Sequence, residues 1–432
     1  MPSVSRVRAA IDCTGALTML HVLYGNETVG QLWSESRTLY FQYAASWVQS
    51  RTAFPLTPHL PLDLQQWRGD NVLFFFSNLL PEGAVLNAIL KLKRLPRGDV
   101  YAQLAAFGED AAGAFALVPE GATQHRQAAY QPYPTEQIRA DLVRLADHLP
   151  LLFQHGELRL SLAGAQDKIP VRYADGEFWL PMGGAASSHI LKPAIQPEKQ
   201  FPEAVFNEVF CLRLAQHCGL DAVNADIVRL PEPVLLVERY DRVARDGQWQ
   251  RLHQLDFCQL VGLLPDQKYT KDGGTDFAEI FRLIDQYAAV PGRERLKVLD
   301  WIIFNYLIGN ADAHAKNLAM LITAGNRLHI APLYDLLCTS VYPTLDTRMA
   351  MPIGGEYRPE WVQHRHWQRF ANEVGINPML LQKRSIALSQ RVVAGIQPVM
   401  LALGLENSAL LNAIAAIAQK RAGWLTSRQT GS

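Results

Sequence analysis

The sequence predicts an α+β protein with a mixed α/β N-terminal part and a mostly helical C-terminal part. In the first part, short runs of alternating apolar and polar residues, such as residues 38–43, are typical of half-buried strands. From about residue 241 onward, apolar residues recur at helical spacing over long stretches such as 293–309 and 378–396. A strand-like break with a turn at residues 325–326 predicts one small hairpin within this helical part, between residues 317 and 335.

Length and local composition divide the 432 residues into three predicted segments. At about 100–200 residues per domain, a chain of this length is expected to form two or three domains. The polar stretch 121–134 contains two prolines and is the first candidate linker. We therefore expect an N-terminal subdomain at residues 1–125, a second α/β subdomain at 126–240 and a helical lobe at 241–432.

The overall composition is that of an ordinary globular protein, with 49% hydrophobic and 19% charged residues. Lys+Arg and Asp+Glu each number 41, so the chain lacks the basic excess that is typical of general nucleic-acid binding. A net charge of zero also weakens colloidal repulsion, which is compatible with a bound partner. The five cysteines are odd in number and form no C-x-x-C pair, which argues against a disulfide framework or a zinc knuckle.

The sequence gives no sign of export or membrane insertion. Asp12 interrupts the only apolar stretch near the N-terminus, so a signal peptide is not expected. No run approaches the roughly 18–20 uncharged apolar residues that a spanning helix needs. We expect a protein that stays in the cytoplasm and has no membrane partner.

A loop after a predicted buried helix carries the first candidate catalytic pair. Kinases use an Asp to accept the proton of the acceptor hydroxyl and an Asn five residues later to hold a metal ion. Asp312 and Asn317 have this spacing, directly before the predicted hairpin, although as an isolated pair they would be read as solvated loop residues. Asp335 follows the second strand of that hairpin and either caps the next turn or joins Asn317 on one magnesium ion, which prefers oxygen ligands. Together, the three residues favour a magnesium site for phosphoryl transfer.

A predicted strand and the helix after it carry a candidate ion pair. Lys192 closes the apolar strand 188–192, and Glu208 lies in the amphipathic helix 201–219. A strand Lys paired with a helix Glu orients the phosphate-binding ammonium group in kinases. Either residue alone has an ordinary interpretation as a surface charge. The chain order of the candidates nevertheless matches the order of these parts in kinases: Lys192, Glu208, Asp312, Asn317, Asp335.

Two further segments are candidates for nucleotide contacts. Small residues at Ala163, Gly164 and Ala165 would let backbone N–H groups approach an anion in the segment 161–168. That segment lacks the G-x-x-x-x-G-K-[ST] pattern and is poorer in glycine than G-x-G-x-x-G, so a tight hairpin is the alternative. The segment 234–242 runs from a buried strand into a turn at the predicted lobe boundary, where backbone groups could pair with the edge of an adenine ring.

Seven spaced motifs, in this order, resemble the HipA family of bacterial serine/threonine kinases. They are LSLAGAQDK at 160–168, HILK at 189–192, NE at 207–208, VERYDR at 237–242, GNADAHAKN at 309–317, LYD at 333–335 and RMAMPIGG at 348–355. The stretches FFSNLLPEG at 75–83 and GAFALVPEG at 113–121 are similar to the N-terminal subdomain of that family. The resemblance implies a protein-kinase-like bilobal fold with an extra N-terminal subdomain.

The resemblance also implies a role for each matching residue. Asp312 would be the catalytic base, and Asn317 and Asp335 would hold Mg²⁺ and contact ATP. Lys192 would contact the ATP phosphates, with Glu208 as its ion-pair partner. The other implied ATP-binding residues are Ala163, Gly164, Ala165, Gln166, Asp167, Lys168, Glu238, Arg239, Tyr240, His314, Lys316 and Tyr334.

Regulation and partners are implied by the same resemblance. The serine before the phosphate-binding loop, here Ser161, would be autophosphorylated, which adds about −1.5 to −2 charges where the ATP phosphates lie and silences the enzyme. Family members are toxins that phosphorylate a serine of an aminoacyl-tRNA synthetase and so inhibit translation and growth. A helix-turn-helix antitoxin similar to HipB would bind the toxin and the operator DNA. The segment 193–204 is short for the activation loop of the family, which helps to select the substrate.

Two other functions use the same features. A HipA-like scaffold could hold an antitoxin on operator DNA as a co-repressor with little phosphotransfer of its own. A kinase for small molecules would need the same catalytic parts as a protein kinase. The presence of every expected catalytic side chain favours an active enzyme over the scaffold.

Overall fold

The computed structural model describes residues 19–108, 113–120, 128–146, 168–193, 201–245, 248–323 and 326–427. These residues belong to two compact units, one that ends before residue 121 and one that begins at residue 128. The candidate loop from Ser161 to Asp167 lies outside the described residues, as does the stretch 194–200. The division into three segments at residues 125 and 240 stays a prediction.

In its described residues, the first unit is a five-stranded antiparallel sheet with helices. The strands are β1 (Leu20–Tyr24), β2 (Glu27–Glu35), β3 (Thr38–Tyr43), β4 (Gln66–Arg68) and β5 (Phe115–Pro119). The helices are α1 (Ala45–Val48), α2 (Asp70–Ser77), α3 (Gly83–Lys93) and α4 (Val100–Phe107). The strand order is β4-β3-β2-β1-β5, and the alternating run 38–43 is confirmed as β3.

Aromatic packing and one close backbone approach stabilise this sheet. Trp47, Phe75 and Phe115 are almost fully buried, and Phe75 meets Phe115 at a ring-centroid distance of 6.1 Å. Strands β2 and β3 lie so close together at Gly30 that a Cβ atom there would be 2.4 Å from the carbonyl oxygen of Gln42. Only glycine therefore fits at this position.

The second unit begins with a six-stranded sheet. Its strands are β6 (Ala129–Pro132), β7 (Ile169–Ala174), β8 (Glu177–Met182), β9 (His189–Lys192), β10 (Ala225–Arg229) and β11 (Pro233–Glu238), in the order β10-β11-β9-β7-β8-β6. Helix α5 (Thr135–Ala146) follows β6, and α6 (Ala204–His217) connects β9 to β10. The last part of the candidate linker 121–134 is therefore an edge strand, where the missing N–H of Pro132 is tolerated.

The rest of the second unit is mainly helical, as expected, but contains more strands than the sequence predicts. The helices are α7 (Phe257–Val261), α8 (Phe277–Tyr287), α9 (Pro291–Ile308), α10 (His364–Glu373), α11 (Pro378–Ala402) and α12 (Ala409–Thr426). The strands are β12 (Arg242–Arg245), β13 (Gln248–Arg251), β14 (Gln254–Asp256), β15 (Ala319–Thr323) and β16 (Arg327–Ile330).

The expectation of a single two-stranded hairpin was wrong in two respects. Strands β12 and β13 form a second hairpin, and β14 pairs with β15 to make the predicted hairpin three-stranded. The sequences of β12 and β13, RVAR and QWQR, are short and rich in arginine and glutamine. They consequently lack the alternating apolar pattern on which strand prediction depends.

Helix α9 lies at the centre of the helical part and leads into the candidate catalytic loop. It begins with Pro291, is packed against α8, α11 and α12, and is buried along most of its second half. It ends at Ile308 and is capped by Gly309, whose φ of 82° is left-handed and where a Cβ atom would lie 3.1 Å from the Cys338 sulfur. No helix in the described part of the chain is long and apolar enough to cross a membrane.

A buried asparagine connects α6 to the chain after β16. Asn207 is fully buried, and its Nδ2 donates to the Cys338 carbonyl oxygen at 2.9 Å and to the Tyr342 hydroxyl at 3.2 Å. The Cys338 N–H in turn donates to Asn207 Oδ1 at 2.8 Å. These bonds satisfy both backbone groups of Cys338 inside the protein, so the Asn207 amide fixes α6 against this segment.

Replacing Asn207 by alanine is expected to destabilise the protein by about 2–4 kcal/mol, because the buried N–H and C=O groups of Cys338 lose their partners. The matched control is Asn412→Ala on the exposed face of α12, which is expected to cost less than about 0.5 kcal/mol. Urea unfolding of both variants measures the difference. Equal transition midpoints would contradict the proposed anchoring role of Asn207.

Candidate active site

The predicted ion pair forms, and a third residue joins it. Lys192 Nζ lies 2.6 Å from Glu208 Oε1 and also donates a hydrogen bond to Asp335 Oδ1. The Lys192 and Glu208 side chains are 6% and 8% exposed, while that of Asp335 is 28% exposed. One ammonium group therefore bridges two carboxylates that come from separate parts of the sequence.

Local structure explains how these three side chains meet. Lys192 ends β9, where it pairs with Leu235 of the neighbouring strand β11. Glu208 lies in the second turn of α6, one residue after the asparagine that anchors this helix to Cys338. Asp335 follows β16 after a short extended stretch, and its φ of 51° is left-handed, which is uncommon for a residue other than glycine.

Burial and charge determine the ionisation of this cluster. Burial alone lowers the pKa of Lys192, but the Asp335 and Glu208 carboxylates more than offset it, so the pKa is raised. Burial also acts to raise the pKa of Asp335, but Lys192 and Lys168 outweigh it and the pKa lies below its usual range. For Glu208, burial dominates and the pKa is raised despite Lys192. Lys192 and Asp335 are thus a charged pair at neutral pH, and Glu208 is the carboxylate that is more easily protonated.

The candidate catalytic loop is ordered by its own hydrogen bonds. Asn310 Nδ2 donates to Asn305 Oδ1 at 2.8 Å, and the Asp312 N–H donates to Asn310 Oδ1 at 3.0 Å. The Asp312 carboxylate is 46% exposed and accepts a hydrogen bond from the Tyr269 hydroxyl at 2.6 Å. His314 Nε2 lies 3.9 Å from the same Asp312 oxygen. The loop therefore presents a fixed and accessible carboxylate.

Asn317 and Asp335 offer oxygen atoms that suit magnesium. Asn317 Nδ2 donates to the Asp312 carbonyl oxygen at 2.9 Å, which turns the amide so that Oδ1 remains for another contact. Asp335 Oδ1 accepts the hydrogen bond from Lys192, so Asp335 Oδ2 remains for a metal ion. An amide oxygen and a carboxylate oxygen, with water and phosphate in the other positions, are the ligands that Mg²⁺ prefers, so the residues fit this ion. Within the described ranges, no group of three or more His, Cys, Asp or Glu side chains could hold a metal ion on its own.

The candidate hinge residues perform different structural tasks. Arg239 is buried and donates from Nε and Nη2 to the Asp241 carboxylate at 3.0 and 2.8 Å. The Arg239 N–H bonds to the Ser188 carbonyl oxygen, and the Glu238 N–H to that of Asn224. The Arg239 side chain is therefore a structural ion-pair partner, and any adenine contact must use other groups of the hinge.

Tyr240 and Tyr334, both predicted to contact ATP, lie against each other. Their rings stack with centroids 5.4 Å apart and an interplanar angle of 22°. The Tyr334 hydroxyl donates to the Lys316 carbonyl oxygen at 2.7 Å, and Lys316 Nζ lies 3.4 Å from Asp256 Oδ2. Burial raises the pKa of both tyrosines, so both remain neutral phenols. The stack thus connects the candidate hinge to the catalytic loop.

The structure brings most of the predicted residues together and adds others. Of the ATP-binding candidates in the phosphate loop, Lys168 is described, and its charge acts on Asp335. Ser161 to Asp167 remain outside the described residues. Sequence reasoning missed Tyr269, Asn310 and Asp256, which contact Asp312 or Lys316. Asn310 could have been found because it lies inside a quoted motif, whereas no spacing rule connects Tyr269 with Asp312.

Comparison with known proteins decides the family. The HipA-like C-terminal domain model matches residues 160–398, which is more than half of the chain. The HipA N-terminal domain model matches residues 20–118. This chain belongs to the HipA family. The resemblance drawn from the seven motifs is therefore confirmed.

Relatives within the HipA family are similar over most of their length. The chain is 37% identical to "Putative kinase Y4mE" of Sinorhizobium fredii, over 85% of this chain and 88% of that protein. It is 31% identical to the serine/threonine-protein kinase toxin HipA of Shewanella oneidensis, over 90% of this chain and 91% of the toxin.

A solved structure extends the likeness to the fold. The chain matches the structure of the Shewanella oneidensis HipA–HipB toxin–antitoxin complex with operator DNA, with a TM-score of 0.82 and 28% identity. The match covers 94% of this chain and 96% of the compared chain. The predicted α+β, kinase-like fold is thus confirmed, and the chain is a kinase of the HipA family.

Proposed function

We propose that this chain is the toxin of a HipBA-like toxin–antitoxin pair and transfers the γ-phosphate of ATP to a serine of a protein target. The observation that carries this proposal is the Lys192 ammonium group, which bridges Glu208 and Asp335 next to the loop that bears Asp312. A strand lysine held by a helix glutamate, together with a metal-binding aspartate, is the arrangement that kinases use to bind and activate ATP.

Each side chain has a defined task in this proposal. Lys192 binds the phosphates, and Glu208 holds its ammonium group in place. Asp312 accepts the proton of the acceptor serine while the serine oxygen bonds to the γ-phosphorus and the bond to the ADP oxygen breaks. Asn317 and Asp335 hold Mg²⁺, which supplies charge neutralisation at the phosphates when it is bound. His314, Lys316, Tyr240 and Tyr334 border the nucleotide.

The loop from Ala163 to Lys168 lines the ATP phosphates in this proposal, and Ser161 is the site of autophosphorylation. A phosphoserine there would bring about −1.5 to −2 charges to the place where the phosphates of ATP bind. Because like charges repel, ATP binding would be lost and the kinase would silence itself. Ser161 is therefore the proposed regulatory site.

The proposed partners follow from the family. The compared HipA structure is a complex with HipB and operator DNA, which supports a HipB-like helix-turn-helix antitoxin as partner and contact with operator DNA mainly through it. The proposed substrate is an aminoacyl-tRNA synthetase, whose phosphorylation would inhibit translation and growth. We place the protein in the cytoplasm, where such a substrate is found.

Incubation with Mg²⁺ and ATP followed by mass spectrometry is the first test of this function. We expect one phosphate on Ser161 in the wild-type protein and none at this position in Ser161→Ala, which should still bind ATP. The control Ser50→Ala, in the first unit, is expected to be phosphorylated like the wild type. Equal total phosphorylation in Ser161→Ala would move the regulatory site elsewhere.

The same experiment distinguishes the kinase from the co-repressor scaffold. The purified protein, free of antitoxin, is incubated with ATP and with a cell extract. If it binds ATP but phosphorylates neither itself nor any protein of the extract, it is the co-repressor scaffold. Phosphorylation of a small molecule alone would instead identify a small-molecule kinase. Labelled ATP with protein and small-molecule acceptors in parallel separates these outcomes.

A further inference from the structure

We infer that Tyr269 is a positioning residue that aims the Asp312 carboxylate at the acceptor hydroxyl, an inference that rests on the proposed kinase function. The Tyr269 hydroxyl donates to Asp312 Oδ1 at 2.6 Å. A distance of about 2.5–2.7 Å is typical of a hydrogen bond from a hydroxyl to an ionised carboxylate, which is roughly twice as strong as a neutral one. Tyr269 therefore bonds directly to the carboxylate that is the proposed base.

The hydrogen bond leaves the second oxygen of Asp312 for catalysis. Among the residues that the structure describes, Asp312 Oδ2 accepts no hydrogen bond, and the side chain is 46% exposed. His314 Nε2 is 3.9 Å from Oδ1, on the side of the carboxylate that Tyr269 already occupies. One oxygen is thus anchored and rotation of the carboxylate is restricted, so the other oxygen remains accessible to an incoming proton donor.

The loop that carries Tyr269 is built to keep this residue in place. The Tyr269 carbonyl oxygen accepts from the N–H groups of Asp272 and Gly274, each at 3.0 Å. A Cβ atom at Gly274 would lie 2.3 Å from the carbonyl oxygen of Gln267 and 2.7 Å from that of Tyr269, so no larger residue fits. The tight loop therefore fixes the backbone from which the Tyr269 side chain extends.

Backbone hydrogen bonds also connect this loop to the catalytic loop. The Thr270 N–H donates to the Ala350 carbonyl oxygen at 3.4 Å, and the Ala350 N–H donates to the Ala311 carbonyl oxygen at 2.9 Å. Ala311 directly precedes Asp312. The segment around Ala350 thus lies between the two loops and sets the distance between Tyr269 and Asp312.

The space beside this pair is suited to an acceptor segment. Tyr269 and Asp312 both line a cavity of 760 Å³, together with Lys271, Arg348 and Arg358. The Tyr269 ring packs edge-on against His314 at 5.2 Å, and the Lys271 ammonium group lies 5.6 Å from the ring centroid. The hydroxyl of Tyr269 is therefore held at the wall where a serine must approach Asp312.

The test is Tyr269→Phe, which removes the hydroxyl and keeps the ring. We measure single-turnover autophosphorylation with Mg²⁺ and labelled ATP, over a range of ATP concentrations. The maximal rate is expected to fall about 10- to 100-fold, because a hydrogen bond to a charged group is lost. The ATP concentration at half-maximal rate and the thermal midpoint are expected to match those of the wild type.

The control variant is Tyr287→Phe, which loses a hydroxyl bonded to Gln286 at the end of α8, outside the site. It is expected to keep the wild-type rate. The inference is overturned if Tyr269→Phe keeps the wild-type maximal rate, or if rate, ATP dependence and thermal midpoint all decline together as for a purely structural residue. If the wild type itself transfers no phosphate, the proposed function fails, whereas an active wild type with an unaffected Tyr269→Phe contradicts this inference alone.

Discussion

Replacing Asp312 by asparagine is expected to lower phosphotransfer by about 10²–10⁴-fold, which is the usual contribution of a general acid or base. Asparagine has nearly the same shape and can still accept the hydrogen bond from Tyr269, but it cannot take the proton of a serine. ATP binding and the thermal midpoint are expected to remain close to those of the wild type, because the side chain is 46% exposed. Autophosphorylation kinetics and ATP titration measure the two properties separately.

The matched control is Asp285→Asn in α8, an exposed aspartate paired with Arg295 at 2.6 Å and remote from the candidate loop in sequence. This variant is expected to phosphorylate at the wild-type rate. If Asp312→Asn were as active as Asp285→Asn, Asp312 would not be the base. The assignment of the catalytic loop would then have to be abandoned.

Replacing Lys192 by methionine is expected to abolish phosphotransfer and to destabilise the protein by about 3–5 kcal/mol, since removal of one partner leaves buried charges uncompensated. Glu208 and Asp335 would face each other without their shared cation. The matched control is Arg369→Met, whose guanidinium group pairs with the exposed Glu373 at 2.8 Å and is expected to contribute at most about 1 kcal/mol. Urea unfolding of both variants gives the comparison.

Two further measurements would show that repulsion between the Glu208 and Asp335 carboxylates causes the loss of stability in Lys192→Met. Adding Glu208→Gln to Lys192→Met removes one of the two carboxylates and is expected to restore part of the lost stability. Lowering the pH is also expected to stabilise the Lys192→Met protein. In the variant, burial and mutual repulsion raise the pKa values of Glu208 and Asp335, so the folded state binds more protons and gains stability as the pH falls from 7 toward 5.

In the wild-type protein, Asp335 is expected to change the stability in the opposite direction as the pH falls. The pKa of Asp335 is lowered in the folded state, because Lys192 and Lys168 outweigh burial. Its contribution to stability is therefore present above the unfolded pKa of about 3.9 and is lost as the pH falls below that value. The stability gap between the wild type and Lys192→Met should narrow between pH 7 and pH 4, because in this range the variant gains stability while the wild type keeps the contribution of Asp335. A gap that stays constant from pH 7 to pH 4 would contradict the charge-based explanation.

The sequence predicted the parts of the site that lie on regular elements. Lys192 ends an apolar strand and Glu208 lies on an amphipathic helix, and such periodic segments can be recognised without a structure. Asp312 and Asn317 were recognisable because the kinase loop has a fixed local spacing. The double role of Lys192 could not be predicted, since Asp335 is 143 residues away and only the fold brings them together.

Residues whose position depends on irregular backbone were missed for a similar physical reason. Tyr269 lies in a turn between short 3-10 segments, 43 residues before Asp312, and no periodic pattern connects the two. Arg239 stays a predicted hinge residue around adenine, and sequence reasoning missed the buried ion pair of its side chain with Asp241, which also pairs with Arg242. The motif ERYDR contains both Arg239 and Asp241, so their ion pair could have been proposed from the sequence. A spacing of two residues does not by itself favour such a pair.

The backbone of Asp335 has a consequence for how inactive variants are interpreted. Its φ of 51° is tolerated by asparagine and aspartate far better than by alanine or a β-branched residue. An Asp335→Ala protein would lose the carboxylate and also relax the turn after β16, so its defects would mix chemistry with conformation. Asp335→Asn preserves the turn and removes only the charge. A comparison of the two variants therefore separates the contribution of the carboxylate from that of the left-handed backbone.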